Sequence, residues 1–385
     1  MIEFIHAAVP ALARGLAGHP YLTDADTLWA ALERLLRAHA PSGGAWLPGA
    51  IVDDIAAIAA ELGLRERFIR QIGATGNAAL WLGADKAQPD VVILAHMDRP
   101  SFRVDVRSGT TVYPICANRF PQGEYQVPAK ALRFSDGKLQ VSARGTLFSS
   151  RAGESESLDF SIIEGEVGWQ DTLVIDAEPE RDGNAIRGTG LDNCVGVITA
   201  LGAAKALSGI EDHLRGLDRR CLFVFTDQEE GLPEAFFGHG AARLAGSLSA
   251  PTRGVIISDT QGAGHDGTPA IGSGASHGGI SSWSKGSVVP PNYLALAVDL
   301  AASVNAFEPG TVQINTGYLS RSDDMAAGRW AQILGMIGAP MINAHTDAEA
   351  ADLADLQHAI TWMSYFTTGA LGIAPEMDAR YALLR

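Results

Sequence analysis

Residues 221–240 read CLFVFTDQEEGLPEAFFGHG, and their first half decides the fold. The run at 221–226 is short and almost wholly apolar, the pattern of a strand buried on both faces of a parallel sheet. It ends in two adjacent carboxylates, Glu229 and Glu230, and then a glycine. Neighbouring negative charges repel, so a chain holds them together at little cost only in open solvent or with something positive between them.

Two further runs share this texture, DVVILAHMD at 90–98 and GVIISD at 254–259. Segments of helical periodicity separate them. ADTLWAALERLLRAHA (25–40) puts Leu28, Ala31, Leu32, Leu35 and Leu36 on one face, and WLPGAIVDDIAAIAAELGL (46–64), LDNCVGVITALGAAKAL (191–207) and NYLALAVDLAASVNA (292–306) read the same way. This alternation predicts an α/β fold with a mostly parallel or mixed sheet flanked by helices. Between about Arg99 and Arg187 the texture changes to short β-like runs divided by turn signals, as in KALRFSDGKLQVSARGTLF (130–148). The expected organisation is one domain of residues 1–98 and 188–385, interrupted by an all-β insertion at 99–187. GTPAIGSGASHGGISSWSKGS (267–287) is expected to be a long Gly/Ser-rich loop.

Composition narrows the partners. The 385 residues carry 29 Lys+Arg against 44 Asp+Glu, a formal charge of −15, so neither nucleic acid nor an anionic membrane is expected to bind. The three cysteines, Cys116, Cys194 and Cys221, are scattered and lack CxxC spacing, which argues against a disulfide framework and a thiolate zinc site. A reducing, cytoplasmic setting fits. The amino-terminal segment opens with Glu3 and is broken by Pro10 and Arg14, unlike a signal peptide, and no apolar run reaches the roughly 18 residues of a membrane helix.

In open α/β sheets, chemistry collects beyond the carboxyl ends of the strands. The strand ends here are followed by His96 and Asp98, by Glu229 and Glu230, by Asp259 and, after APMINA, by His345; Asp192 precedes the helix that begins near Cys194. Taken singly, Asp192 reads as a helix N-cap, Asp259 as an Asx-turn and the others as loop or core residues. Taken together, they form a ligand set. Imidazoles and carboxylates without thiolates suit Zn²⁺, Co²⁺ or Mn²⁺. Two ions ~3.5–4 Å apart need a bridging carboxylate and further ligands on each side, and can then activate a water. Adjacent extended residues point opposite ways, so one of Glu229 and Glu230 faces a metal and the other is left to act as general base. Asp98 is expected to hold the second nitrogen of His96.

The chain at this point resembles the M42 metallo-aminopeptidases, which are co-catalytic, dinuclear enzymes related to the M20/M28 group. AHMD (95–98), GLDNCVG (190–196), QEEGL (228–232), Ser258 with Asp259, and HTDAE (345–349) follow that family's motifs in order across nearly the whole chain. The resemblance implies a phosphorylase/hydrolase-like aminopeptidase domain with two divalent ions. Asp192 would bridge them, His96 with Glu230 or Asp259 would complete one side, and His345 would serve the other. It makes Glu229 the general base and Asp98 the supporting aspartate, with short peptides as substrate. It also makes the insertion an oligomerisation domain of particles that are often dodecamers. The sequence departs from the family pattern in RPSF at 99–102 and at Cys194, where the family frequently has arginine. Arg321, in LSRSDDMAAG, and His277 are candidate substrate contacts.

Other readings compete. GASHG (274–278) satisfies G-x-S-x-G, with Asp324 and His345 following Ser276, but a nucleophile elbow needs a strand before the serine and a helix directly after it. A deacylase of small acylated amines would use the same metal site. A non-catalytic binding or assembly module would be signalled by a lost ligand, and none is lost.

Overall fold

The computed structural model describes residues 1–105, 107, 109–116, 119–231, 237–264, 268–281, 286–317 and 321–383. The apolar run that opens the sequence argument is the strand Arg220–Thr226, buried from Cys221 onward. It lies inside an eight-stranded sheet whose order is Phe68–Ile69, Ala78–Gly83, Arg220–Thr226, Val91–His96, Gly254–Ser258, Ile333–Gly338, Ala275–Gly278 and Val312–Asn315. The four strands from Arg220–Thr226 to Ile333–Gly338 run parallel, so their carboxyl ends share one edge. Their flanks, Ala78–Gly83 and Ala275–Gly278, pair antiparallel, which makes the sheet mixed. Thr226 stands opposite His96 in register, and the exits of these two strands therefore lie side by side.

Helices cover the sheet as the periodicity predicts. Ala25–Arg37 buries Leu28, Ala31, Leu32, Leu35 and Leu36, and Asp24 caps it by accepting the Asp26 N–H at 3.0 Å. Each buried leucine contributes roughly 2 kcal/mol. Leu191–Ser208 is buried along nearly its whole length and packs on Leu353–Ala370. No helix among the described residues is long and apolar enough to cross a membrane.

The β-rich segment forms a second, antiparallel sheet in the order Val112–Pro114, Phe102–Val104, Thr172–Ile175, Gly123–Ser135, Lys138–Ala152, Ser155–Gly165. Its long hairpin turns at Asp136 and Gly137, with φ of 54° and 78°, the left-handed pair that Asp-Gly supplies. The outer strands curl toward each other and meet at a bridge between Thr111 and Asp159. Inside lies a separate apolar cluster that includes Phe102, Phe120, Leu147, Phe160 and Leu173.

Two expectations shift. Glu180–Asp182 and Ala185–Gly188, counted with the insertion in the sequence reading, pair instead into a third sheet with Glu349–Asp352, Pro340–Ile342 and Gln261–Gly262. Turn and strand signals mark a strand without naming its partner, and here the partner lies about 160 residues downstream. Ala275–Gly278, expected within a loop, is a fully buried strand of the main sheet; residues 282–285 of that stretch lie outside the described residues.

One glycine ties the sheet to its exits. A Cβ at Gly338 would lie 1.5 Å from the carbonyl oxygen of Asp259. Gly338→Ala should therefore push apart the ends of two parallel strands and cost about 2–3 kcal/mol or more in urea unfolding. An unchanged unfolding midpoint would contradict this packing.

Candidate metal centre

Beyond Thr226 the chain turns sharply, with Gln228 in the left-handed region at φ 64°. Arg243 holds the turn by donating from Nη1 to Gln228 Oε1 at 2.6 Å. The next two backbone N–H groups, of Glu229 and Glu230, donate to the two oxygens of the fully buried Asp98 carboxylate at 3.1 and 3.2 Å. From this anchored backbone the side chains diverge. Glu229 Oε2 lies 3.9 Å from His96 Nε2, and Glu230 Oε1 lies 3.1 Å from His345 Nε2. Both glutamates are buried, at 3% and 2% exposure, so the open-solvent explanation of the pair fails.

His96 is held at its outer nitrogen. Nδ1 is 3.1 Å from the Asp98 carbonyl oxygen and 3.6 Å from its carboxylate. The backbone oxygen therefore takes the nearer place, because the carboxylate is engaged with the two glutamate amides. A donating Nδ1–H leaves the Nε2 lone pair facing inward. There Nε2 meets Asp192 Oδ1 at 3.2 Å and Asp259 Oδ1 at 3.7 Å.

Asp192 sits between the two imidazoles, its Oδ2 being 3.4 Å from His345 Nε2. It is not the helix cap: Gly190 occupies the cap position and Asp192 has a non-helical ψ of 101°. Asn193 does the capping work instead, accepting the Gly196 N–H at 2.8 Å while donating to Ser258 O at 2.8 Å. Asp259, at the exit of its strand, accepts the Thr260 N–H at 2.7 Å. His345 follows a strand of the third sheet rather than an exit of the main one, and takes a φ of 65°. Glu349 joins the two loops, accepting the His345 N–H at 2.9 Å and the Asp192 N–H at 3.3 Å.

The electrostatics are dominated by the mutual influence of these carboxylates and imidazoles. Burial would push both imidazoles down, but Glu229, Asp259 and Asp192 lift His96 well above its ordinary value, and Glu230 and Asp192 do the same for His345. Burial works to raise Asp192, yet the two imidazoles hold it far below the usual carboxylate range. Glu229 is pushed well up by burial, and Glu349 to about 8 by burial and by Asp192.

These residues fit a divalent cation. Donors sharing one ion at ~2.1 Å stand about 3–3.5 Å apart, close to the separations seen here. Among the described residues the buried Glu230 Oε1 has His345 Nε2 3.1 Å away as an ion-pair neighbour and no further hydrogen-bond partner. Three trios each bring their ligand atoms within 4.8 Å of one another: His96, Asp192 and Asp259; His96, Glu229 and Glu230; and Cys116, Glu230 and His345.

The cleft over these atoms is also lined by Arg119, Phe237, Thr260, Arg321 and Met341. Arg321 thus reaches the cleft, its guanidinium 4.9 Å over the Phe237 ring. His277 does not. It is 1% exposed, receives the Trp362 Nε1–H at 3.2 Å, packs edge-on against Phe366, and is pushed down to about 3 by burial. Ser276 bonds Gln261 and Asp324 bonds Ser281, so no Ser-His-Asp triad forms with His345. Two departures from the motif pattern meet in space, with Arg99 Nη2 3.5 Å from the Cys194 sulfur. Cys116 and Arg119 went unrecognised in the sequence because they come from the insertion, where strand-exit logic says nothing.

No family model matches the sequence, and no curated protein is similar to it at the sequence level. Solved structures do share the fold. An aminopeptidase from the archaeon Desulfurococcus kamchatkensis, 20% identical, aligns over 93% of this chain and 98% of its own with a TM-score of 0.69. A TET aminopeptidase from a marine-sediment Thaumarchaeota archaeon, 14% identical, aligns over 93% and 99% with a TM-score of 0.70. The Pyrococcus horikoshii TET1 peptidase, described as assembling into a tetrahedron or a large octahedral shell, is 18% identical over 88% and 98% with a TM-score of 0.64.

Asp323 offers a pH test of the metal-free site. It is 1% exposed, its Oδ1 lacks a hydrogen-bond partner among the described residues, and burial pushes it up to about 7. An unfolded aspartate titrates near 3.9, so between there and about 7 the folded state binds the extra proton and stability falls as pH rises. The wild type should lose on the order of 4 kcal/mol more than Asp323→Asn between about pH 4 and pH 8. Equal losses in chelator-treated samples, read by urea unfolding, would remove Asp323 from the account.

Proposed function

We propose that the protein is a metal-dependent aminopeptidase of the M42 type, removing N-terminal residues from short peptides. The observation that carries this reading is Asp192, whose two carboxylate oxygens face two different imidazoles at 3.2 and 3.4 Å, with Glu229 beside them. His96 and Asp259 stand on one side, His345 and Glu230 on the other. When bound, two divalent ions such as Zn²⁺, Co²⁺ or Mn²⁺ supply Lewis acidity toward the attacking water and the scissile carbonyl.

The chain's own residues do the rest. Glu229 takes a proton from the water as its oxygen bonds the carbonyl carbon, and returns that proton to the amine nitrogen as the C–N bond breaks. Asp98 fixes the direction of this base through the two backbone amides it accepts. Glu349 holds the loops of Asp192 and His345 at a fixed spacing. Arg119 and Arg321, in the same cleft, suit the C-terminal carboxylate of a short peptide.

The insertion is the surface we assign to self-association, up to a dodecamer. It exposes Tyr113, Phe134, Phe148, Ile162, Ile163 and Trp169, with Ile163 and Trp169 each 77% exposed. Large apolar side chains left exposed in this number on one small sheet suit a contact surface. Ile162 and Ile163 also lie on an edge strand, where unpaired backbone invites a second chain.

Two outcomes are expected. Glu229→Gln should lower aminoacyl-substrate turnover about 10²–10⁴-fold while bound metal is unchanged; a normal rate would remove Glu229 from the chemistry. Ile163→Glu combined with Trp169→Glu should give smaller particles in sedimentation velocity, and an unaltered profile would contradict the assembly role.

A further inference from the structure

The inserted sheet approaches the metal centre at two places, through the Tyr125 hydroxyl bonded to Asp347 and through the segment that follows Pro114. Phe102 pairs with Pro114 across the Phe102–Val104 and Val112–Pro114 ladder, and the Ile115 N–H donates to Ser101 O at 2.7 Å. The chain leaving His96 and Asp98 is therefore zipped to the chain that carries Cys116. Cys116 is 1% exposed. Its sulfur, a Glu230 carboxylate oxygen and a His345 ring nitrogen all lie within 4.8 Å of one another. A second observation points to a shared ligand there: Glu230 is 2% exposed, and its Oε1, 3.1 Å from His345 Nε2, has no further hydrogen-bond partner among the described residues.

We propose that Cys116 is a thiolate ligand of the ion held by Glu230 and His345, an assignment that rests on the metal reading of the centre given above. On binding, the thiol proton leaves to solvent and a sulfur–metal bond forms. The two halves of the centre then differ in kind. His96, Asp192 and Asp259 offer nitrogen and oxygen alone, a donor set with no soft atom to widen zinc's ordinary advantage over manganese. The Cys116 half adds a soft donor that favours zinc or cobalt over manganese. The absence of CxxC spacing does not exclude this, because the other ligands arrive from distant parts of the fold. The segment after Asp98, RPSF, supplies the strand that brings the cysteine in.

The test uses the full-length protein stripped by chelator and titrated with Co²⁺ while its absorption is recorded. The wild type should develop a sulfur-to-cobalt charge-transfer band in the near ultraviolet, alongside the visible bands of bound cobalt. Cys116→Ser and Cys116→Ala should still take up cobalt without that band. Their zinc affinity at one site should fall on the order of tenfold or more, with manganese affinity little changed. Visible cobalt bands in the wild type without the charge-transfer band would overturn the assignment while leaving the metal centre standing. No cobalt uptake at all would overturn both. The wild-type spectrum decides the matter even if neither variant folds.

Discussion

Gathering the buried Asp192, Glu229 and Glu230 and the half-buried Asp259 around one cleft is unfavourable unless positive charge lies among them, and this constraint organises the rest of the molecule. Two imidazoles supply part of the compensation. The remainder suits cations, and the fold invests its polar interactions in keeping the carboxylates where cations would meet them. Asp98 gives both carboxylate oxygens to the backbone of the glutamate pair, Glu349 gives both of its own to the loops of Asp192 and His345, and Asn193 relieves Asp192 of capping. None of these three residues needs to touch a substrate. Each fixes the direction in which another side chain points.

Much of the fold was legible in the sequence because parallel strands are recognisable as short apolar runs. Their parallel order then forces the exits onto one edge, which is why His96, Glu229, Glu230 and Asp259 could be grouped from spacing alone. His345 belongs to the same site by a different route, since it is delivered by the third sheet. That sheet was invisible beforehand, because its strands are two to four residues long and come from three distant parts of the chain. His277 misled for a related reason. Its residue type suggests chemistry, but Trp362 and Phe366, from a helix nearly 90 residues away, enclose it as a neutral core side chain.

The inserted sheet has its own core and its own exposed apolar surface, yet it contributes Cys116 and Arg119 to the centre of the other domain. The departures from the motif pattern fall along this junction. Arg99 turns its guanidinium back onto Cys194 and the end of the Ala25–Arg37 helix, while Ser101 and Phe102 pair with the segment that carries Cys116. On the proposed reading, assembly surface and reaction centre are thus parts of one connected piece of structure, joined at this junction and through the Tyr125 bond to Asp347.

The central claim is that Asp192 links two cation positions. Elemental analysis of purified wild type and Asp192→Asn, prepared with identical metal supplementation, tests it most directly. About two equivalents of a transition metal in the wild type, falling in the variant, is the predicted result. No metal in either protein would mean that the converging carboxylates are structural, and the hydrolytic account would fall with them.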